Sequence, residues 1–126
     1  MNLSVSYTVP SSEIRAWFDH STSVTFSKRL SGLDIIRIVC EATGVRENEF
    51  LSQRRNRHIA EARFVAWRLM RAYTELSYPQ IGRLCNRDHT TILSGVKKAD
   101  MMLGSHHYTE FQRTYQKVTG ILREFV

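Results

Sequence analysis

The sequence predicts an all-α domain of five or six helices, and three observations carry that prediction. Apolar residues recur at three- and four-residue spacing through most of the chain, the period of a helix with one buried face. No segment shows the strict alternation expected of a half-buried strand. Two short periodic segments, Pro79–Cys85 and His89–Leu103, are separated only by Asn86-Arg87-Asp88, the spacing of a helix-turn-helix.

Taken in order, Ile14, Trp17 and Phe18 after Pro10-Ser11-Ser12 suggest a short N-terminal helix, and the Ser/Thr-rich stretch from His20 to Gly32 reads as a linker. A helix from Leu33 to Thr43 places Ile36, Val39, Cys40 and Thr43 on one face and stops at Gly44. One helical turn follows at Glu47–Leu51, and Gln53-Arg54-Arg55-Asn56-Arg57 interrupts the apolar pattern as a basic loop. The strongest helix is expected over Ile59–Leu76, with Ala62, Ala66, Leu69, Met70, Tyr73 and Leu76 inward and Glu61, Arg68, Arg71 and Glu75 outward.

Pro79 suits the first turn of the next helix, which buries Ile81 and Leu84. Asp88 is the expected N-cap of His89–Leu103, whose inward face is Ile92, Val96, Ala99 and Leu103 and whose outward face is Thr90, Ser94, Lys97 and Met101. After Gly104 a last helix, about His107–Phe125, aligns Tyr108, Phe111, Tyr115, Val118, Leu122 and Phe125. This stripe reads as core, with a homodimer surface as its alternative. The organisation is therefore an N-terminal helix and linker over 1–32, a central domain over 33–103, and a C-terminal helix over 104–126.

At 126 residues and 42% apolar composition the chain can bury one core. No apolar run approaches the roughly 18–20 residues of a membrane span, and no secretory signal opens the chain. Cys40 and Cys85 are too few for a disulfide scaffold and read as reduced, half-buried core residues of a cytoplasmic protein. Net charge is +6, but between Gln53 and Lys98 ten basic residues face three acidic ones, giving +7 there and −1 elsewhere. Such concentration is the footprint of a polyanion partner.

A helix-turn-helix reads double-stranded DNA with the N-terminal end of its second helix. Here that end presents Asp88, His89, Thr90 and Thr91, short polar side chains able to reach base edges, while Lys97 and Lys98 lie further along, where phosphates run. His106-His107 lacks nearby carboxylate or cysteine ligands, so no metal or other cofactor is expected. Asp88-His89-Thr90 is no catalytic trio, because consecutive residues seldom converge on one reacting atom, and no activated nucleophile is evident. A non-enzymatic protein is expected.

Three motifs occur in order: Leu51-Ser52-Gln53-Arg54-Arg55-Asn56-Arg57, Pro79-Gln80-Ile81-Gly82, and Arg87-Asp88-His89-Thr90-Thr91-Ile92-Leu93. Together, over about Leu33 to Lys98, they resemble the C-terminal DNA-binding domain of the bacterial replication initiator family DnaA. The resemblance implies major-groove reading by Asp88, His89 and Thr90, with Thr91 nearby, and minor-groove insertion of Arg55 flanked by the phosphate contacts Arg54 and Arg57. It also implies that Arg63, Pro79 and Lys97 lie near the DNA backbone, and that Arg87 orients the signature or touches phosphate.

Several positions depart from the family. Gln53 replaces a common lysine, Glu61-Ala62-Arg63-Phe64 a segment that is usually basic-Pro-Arg-Gln, and Ser94 a base-reading histidine; the turn before Arg87 is one residue shorter. No Gly-x-x-x-x-Gly-Lys-[Ser/Thr] loop is present, so the expectation is a DNA reader without the family's ATPase. Regulation of replication or transcription follows, with replication-initiation proteins as expected partners. The competing expectation, supported by Glu61, Phe64 and Ser94, is a protein-interaction adaptor that keeps the fold and has lost sequence reading.

Overall fold

Ser31 opens the first helix of the structure, a computed structural model that describes residues 30–125. Its hydroxyl accepts from the Asp34 amide at 3.1 Å while the Asp34 carboxylate accepts from the Ser31 amide at 2.9 Å, a reciprocal capping box. Helix α1 therefore spans Gly32–Thr43, and Gly32, which the sequence suggested as linker, is its first residue. Gly44, at φ 80°, ends it. The expected N-terminal helix around Ile14, Trp17 and Phe18 lies outside the described residues.

Helix α2 is the single turn Glu47–Phe50, which drives Phe50 into the core. Helix α3, Arg57–Tyr73, is the central element and packs on both α1 and the later helices. It stops short of the expected Leu76 because the Thr74 hydroxyl bonds back to Met70 O at 2.6 Å and the Thr74 backbone is extended. That leaves Ser77 to cap α4, Tyr78–Cys85, in a second capping box with Gln80. Pro79 consequently stands second in its helix, where it has no amide to lose.

The turn to helix α5, His89–Leu103, passes through Asn86 in the left-handed region at φ 57°. It closes so tightly that a Cβ on Gly82 would lie 2.5 Å from Arg87 O, a backbone atom that cannot move aside. Helix α6, Thr109–Leu122, continues into a 3-10 turn at Arg123–Phe125. It packs on α1, α3 and α5, and its Phe111, Val118 and Leu122 are buried. The stripe with the alternative reading of a dimer surface is thus occupied within its own chain.

All six helices share one core around Ile35, Leu69, Met70, Ile81 and Ile92, and no strand occurs among the described residues. Cys40 and Cys85 are free thiols and more deeply placed than the half-burial expected of them. Burial, followed by the Glu47 and Glu49 carboxylates, pushes the Cys40 thiol up to about 12. Burial also raises Cys85, against smaller lowering effects. Because the thiolate is the nucleophile, neither cysteine should react with a disulfide reagent at pH 8 until the protein unfolds. Rapid labelling of the native protein would contradict this packing.

Candidate nucleic-acid interface

The basic loop, residues 51–56, has no regular hydrogen-bond ladder, so something else must hold it. Arg63 does. Its side chain is buried at 5% exposure, and its guanidinium donates to four backbone carbonyls. Nε bonds Phe50 O at 2.8 Å, Nη1 bonds Arg54 O at 2.6 Å, and Nη2 bonds Ser52 O at 2.7 Å and Glu49 O at 3.1 Å. Burial, then the neighbouring Arg87 charge, lowers its pKa, and the carbonyl dipoles around it compensate the cation. The donors of Arg63, expected near the DNA backbone, are thus committed to organising the loop.

Arg87 ties that loop to the helix-turn-helix. From the turn it donates Nη2 to Ser52 O at 2.6 Å, the same carbonyl that Arg63 holds. The Arg87 guanidinium bridges the turn and the basic loop. One carbonyl thus joins α3, the basic loop and the turn before α5.

Between loop and α5 lies a cleft of about 440 Å³. It brings together seven of the thirteen candidate DNA-interface residues: Arg54, Arg55, Arg63, Arg87, Thr91, Ser94 and Lys98. The other six lie outside it. His89 and Thr90 are exposed at the start of α5, Lys97 is exposed further along it, and Pro79 is exposed on α4. Arg57 pairs with Glu61 at 3.1 Å, so the negative charge acquired at position 61 partly offsets it. Arg54 lies 3.5 Å from Glu49. Among the described residues Arg55, Lys97 and Lys98 are exposed and have no ion-pair partner.

Asp88 occupies the N-cap position but makes no side-chain cap bond. Its carboxylate accepts instead from the Thr90 hydroxyl, and that bond leads the causes that hold its pKa below the ordinary value. The backbone still starts the helix correctly, since Asp88 O accepts from Thr91 and Ile92. Asp88 Oδ1 also lies 3.7 Å from His89 Nδ1, so the first turn of α5 presents a linked Asp-His-Thr edge to solvent.

Sequence reasoning missed what supports this surface. Trp67 of α3 is nearly buried beneath α5, with Phe64 edge-on to it at 6.3 Å between ring centroids. A Cβ on Gly95 would lie 2.4 Å from the Trp67 ring, so only glycine lets α5 sit this close to α3. A glycine inside an otherwise regular helix was the available signal.

Comparison with known proteins now decides the family. The bacterial dnaA protein helix-turn-helix matches residues 33–99, from the start of α1 to near the end of α5. This chain belongs to that family. The DnaA initiator of Synechococcus sp. (strain JA-2-3B'a(2-13)) is 36% identical over 97 residues, 76% of this chain and 20% of the relative. That of Mesorhizobium japonicum is 43% identical over 79 residues, 62% of this chain and 16% of the relative. In the Brucella abortus initiator the figures are 39% over 87 residues, 68% and 18%. The chain thus spans a fifth or less of the length of these relatives.

The DnaA helix-turn-helix is a DNA-binding domain and carries no ATPase. Here its turn and second helix are 86–88 and α5. No helix of the described residues is long and apolar enough to cross a membrane, and no cluster of three His, Cys, Asp or Glu side chains among them could hold a metal ion.

Proposed function

We propose that this protein is a sequence-specific reader of double-stranded DNA, acting in the nucleoid to regulate replication initiation or transcription. The observation that carries the reading is the flanking of one cleft by an unpaired arginine of the basic loop, Arg55, and by the exposed N-terminal half of α5. Arg55 enters the minor groove, and Asp88, His89 and Thr90 read base edges in the adjacent major groove, with Thr91 and Ser94 beside them. Arg54, Arg57, Lys97 and Lys98 meet phosphates. Pro79, at the exposed start of α4, lies against the backbone. The relatives are chromosomal replication initiator proteins, which makes initiator-type boxes the first duplexes to test and replication-initiation proteins the first partners.

Fluorescence anisotropy of a labelled box against a scrambled duplex, at near-physiological salt, tests the assignment. The wild type should prefer the box. His89→Ala should reduce that preference roughly tenfold, within the ~1–3 kcal/mol of one base contact. Lys97→Ala should weaken both duplexes alike and flatten the dependence of log affinity on log salt by about 0.9, one phosphate contact. Sequence-blind binding by the wild type, joined to tight association with a protein partner, would replace this reading with that of an adaptor.

A further inference from the structure

The cleft between basic loop and α5 contains more than the reading residues require. Its lining includes no carboxylate side chain, although three acidic residues lie between Gln53 and Lys98. Arg55 stands on one wall and Lys98 on the other, neither with a partner, while Arg63 and Arg87 add charge from behind with donors already committed to carbonyls. The floor is apolar. Phe64 is half-buried there, braced edge-on by Trp67. Cationic walls over an aromatic floor suit a chain that alternates anionic and apolar units.

An element in the minor groove and another in the neighbouring major groove are separated by a single sugar–phosphate strand. On the reading proposed above, Arg55 and α5 are those two elements, and the cleft is the space between them. We propose that this cleft seats that strand, with the Phe64 ring against a deoxyribose and Arg55 and Lys98 on the two walls beside its phosphates. Phe64 is then a DNA-contacting residue that adds affinity without sequence information, because every nucleotide carries the same sugar. Its contact is also insensitive to salt, because no counterion is released when a phenyl ring meets a sugar.

Hydroxyl-radical footprinting reads deoxyribose exposure directly, and it should be run beside anisotropy on the box and scrambled duplexes. The wild type should protect a short run of sugars on one strand between the two grooves. Phe64→Ala should re-expose one or two of them and weaken both duplexes about five- to tenfold, as expected for losing part of an aromatic contact area. The slope of log affinity against log salt should stay unchanged. Phe64→Leu, which keeps an apolar side chain under the loop, should retain most of the affinity and separates loss of contact from loss of fold. Lys98→Ala should leave the sugar footprint in place and lower the salt slope by about 0.9.

Two results overturn the proposal in distinguishable ways. If the wild type binds no duplex, the DNA-reading assignment falls and the strand seat falls with it. If the wild type prefers the box while Phe64→Ala matches it in affinity and footprint, the reader stands and the cleft does not seat the strand.

Discussion

Arg63→Ala is expected to cost about 2–4 kcal/mol of folding stability, in the range of a broken buried network, and to abolish preference for any DNA site. Four carbonyls converge on this guanidinium, from Glu49, Phe50, Ser52 and Arg54. Hydrogen bonds to a charged group contribute roughly 1.5–3 kcal/mol each, but the loop is exposed, so water recovers part of the loss. The sum is therefore an upper bound.

What water cannot recover is the path of the loop. Without Arg63, the middle of the loop keeps the Ser52 contacts, among them the bond from the Arg54 amide to the Ser52 hydroxyl at 3.1 Å and the reach of Arg87, and the exposed Arg54–Glu49 pair at 3.5 Å. Arg63→Lys should restore less than half of the stability, because an ammonium radiates its donors from one point and cannot reach carbonyls spread around a planar fork. Urea denaturation gives the stability, and hydrogen exchange at the Arg54 amide reports the loop. Native stability and native exchange in Arg63→Ala would show that the loop holds itself.

This residue also marks a limit of sequence reasoning. Helices α1, α3, α5 and α6 were legible because each repeats its apolar residues at helical spacing, and that pattern survives without any tertiary contact. Their ends were less so. The stop at Tyr73 depends on a threonine bonding to Met70 O, and the start at Gly32 on a capping box whose first residue, Ser31, falls within what read as linker. Arg63 sits between Ala62 and the inward Ala66, yet its charge argued for the surface. Its burial depends on carbonyls contributed by 49–54, and no periodicity encodes where a loop's carbonyls point.

The candidate site was legible in a different way. Charge concentration located a polyanion partner's segment, and the Arg87-Asp88-His89-Thr90-Thr91 string placed the reading end of α5. Spacing alone could not bring Arg55 and Lys98 to opposite walls of one cleft; that took the resemblance, followed by the packing of α3 beneath both. Phe64 illustrates the remainder. It lies off the core stripe, so periodicity assigned it no buried place, and the structure sets it at the cleft floor, edge-on to Trp67.

The second large effect is expected at Gly95, and its sign is the informative part. In an unpacked helix, replacing an interior glycine by alanine stabilises by about 1 kcal/mol. Here the added Cβ would meet Trp67 Cε3 at 2.4 Å, Cζ3 at 2.6 Å and Phe64 Cδ1 at 3.3 Å. Trp67 is only 3% exposed and has nowhere to retreat. Overpacking of this kind costs about 1–3 kcal/mol and sometimes more, so Gly95→Ala should destabilise the protein despite the better helix former. The strain should also shift α5 against α3, and with it the register of His89 and Thr90 relative to Arg55, so DNA affinity should fall further than a change in stability alone accounts for. Trp67→Leu removes the clashing ring atoms and leaves a cavity that the new methyl can partly fill. In that background Gly95→Ala should become neutral or stabilising, giving a coupling energy well outside the ~0.5 kcal/mol seen between independent sites. If alanine costs the same in both backgrounds, close approach of α5 to Trp67 is not what glycine is there to permit, and the distance between the two DNA-facing elements must be fixed elsewhere.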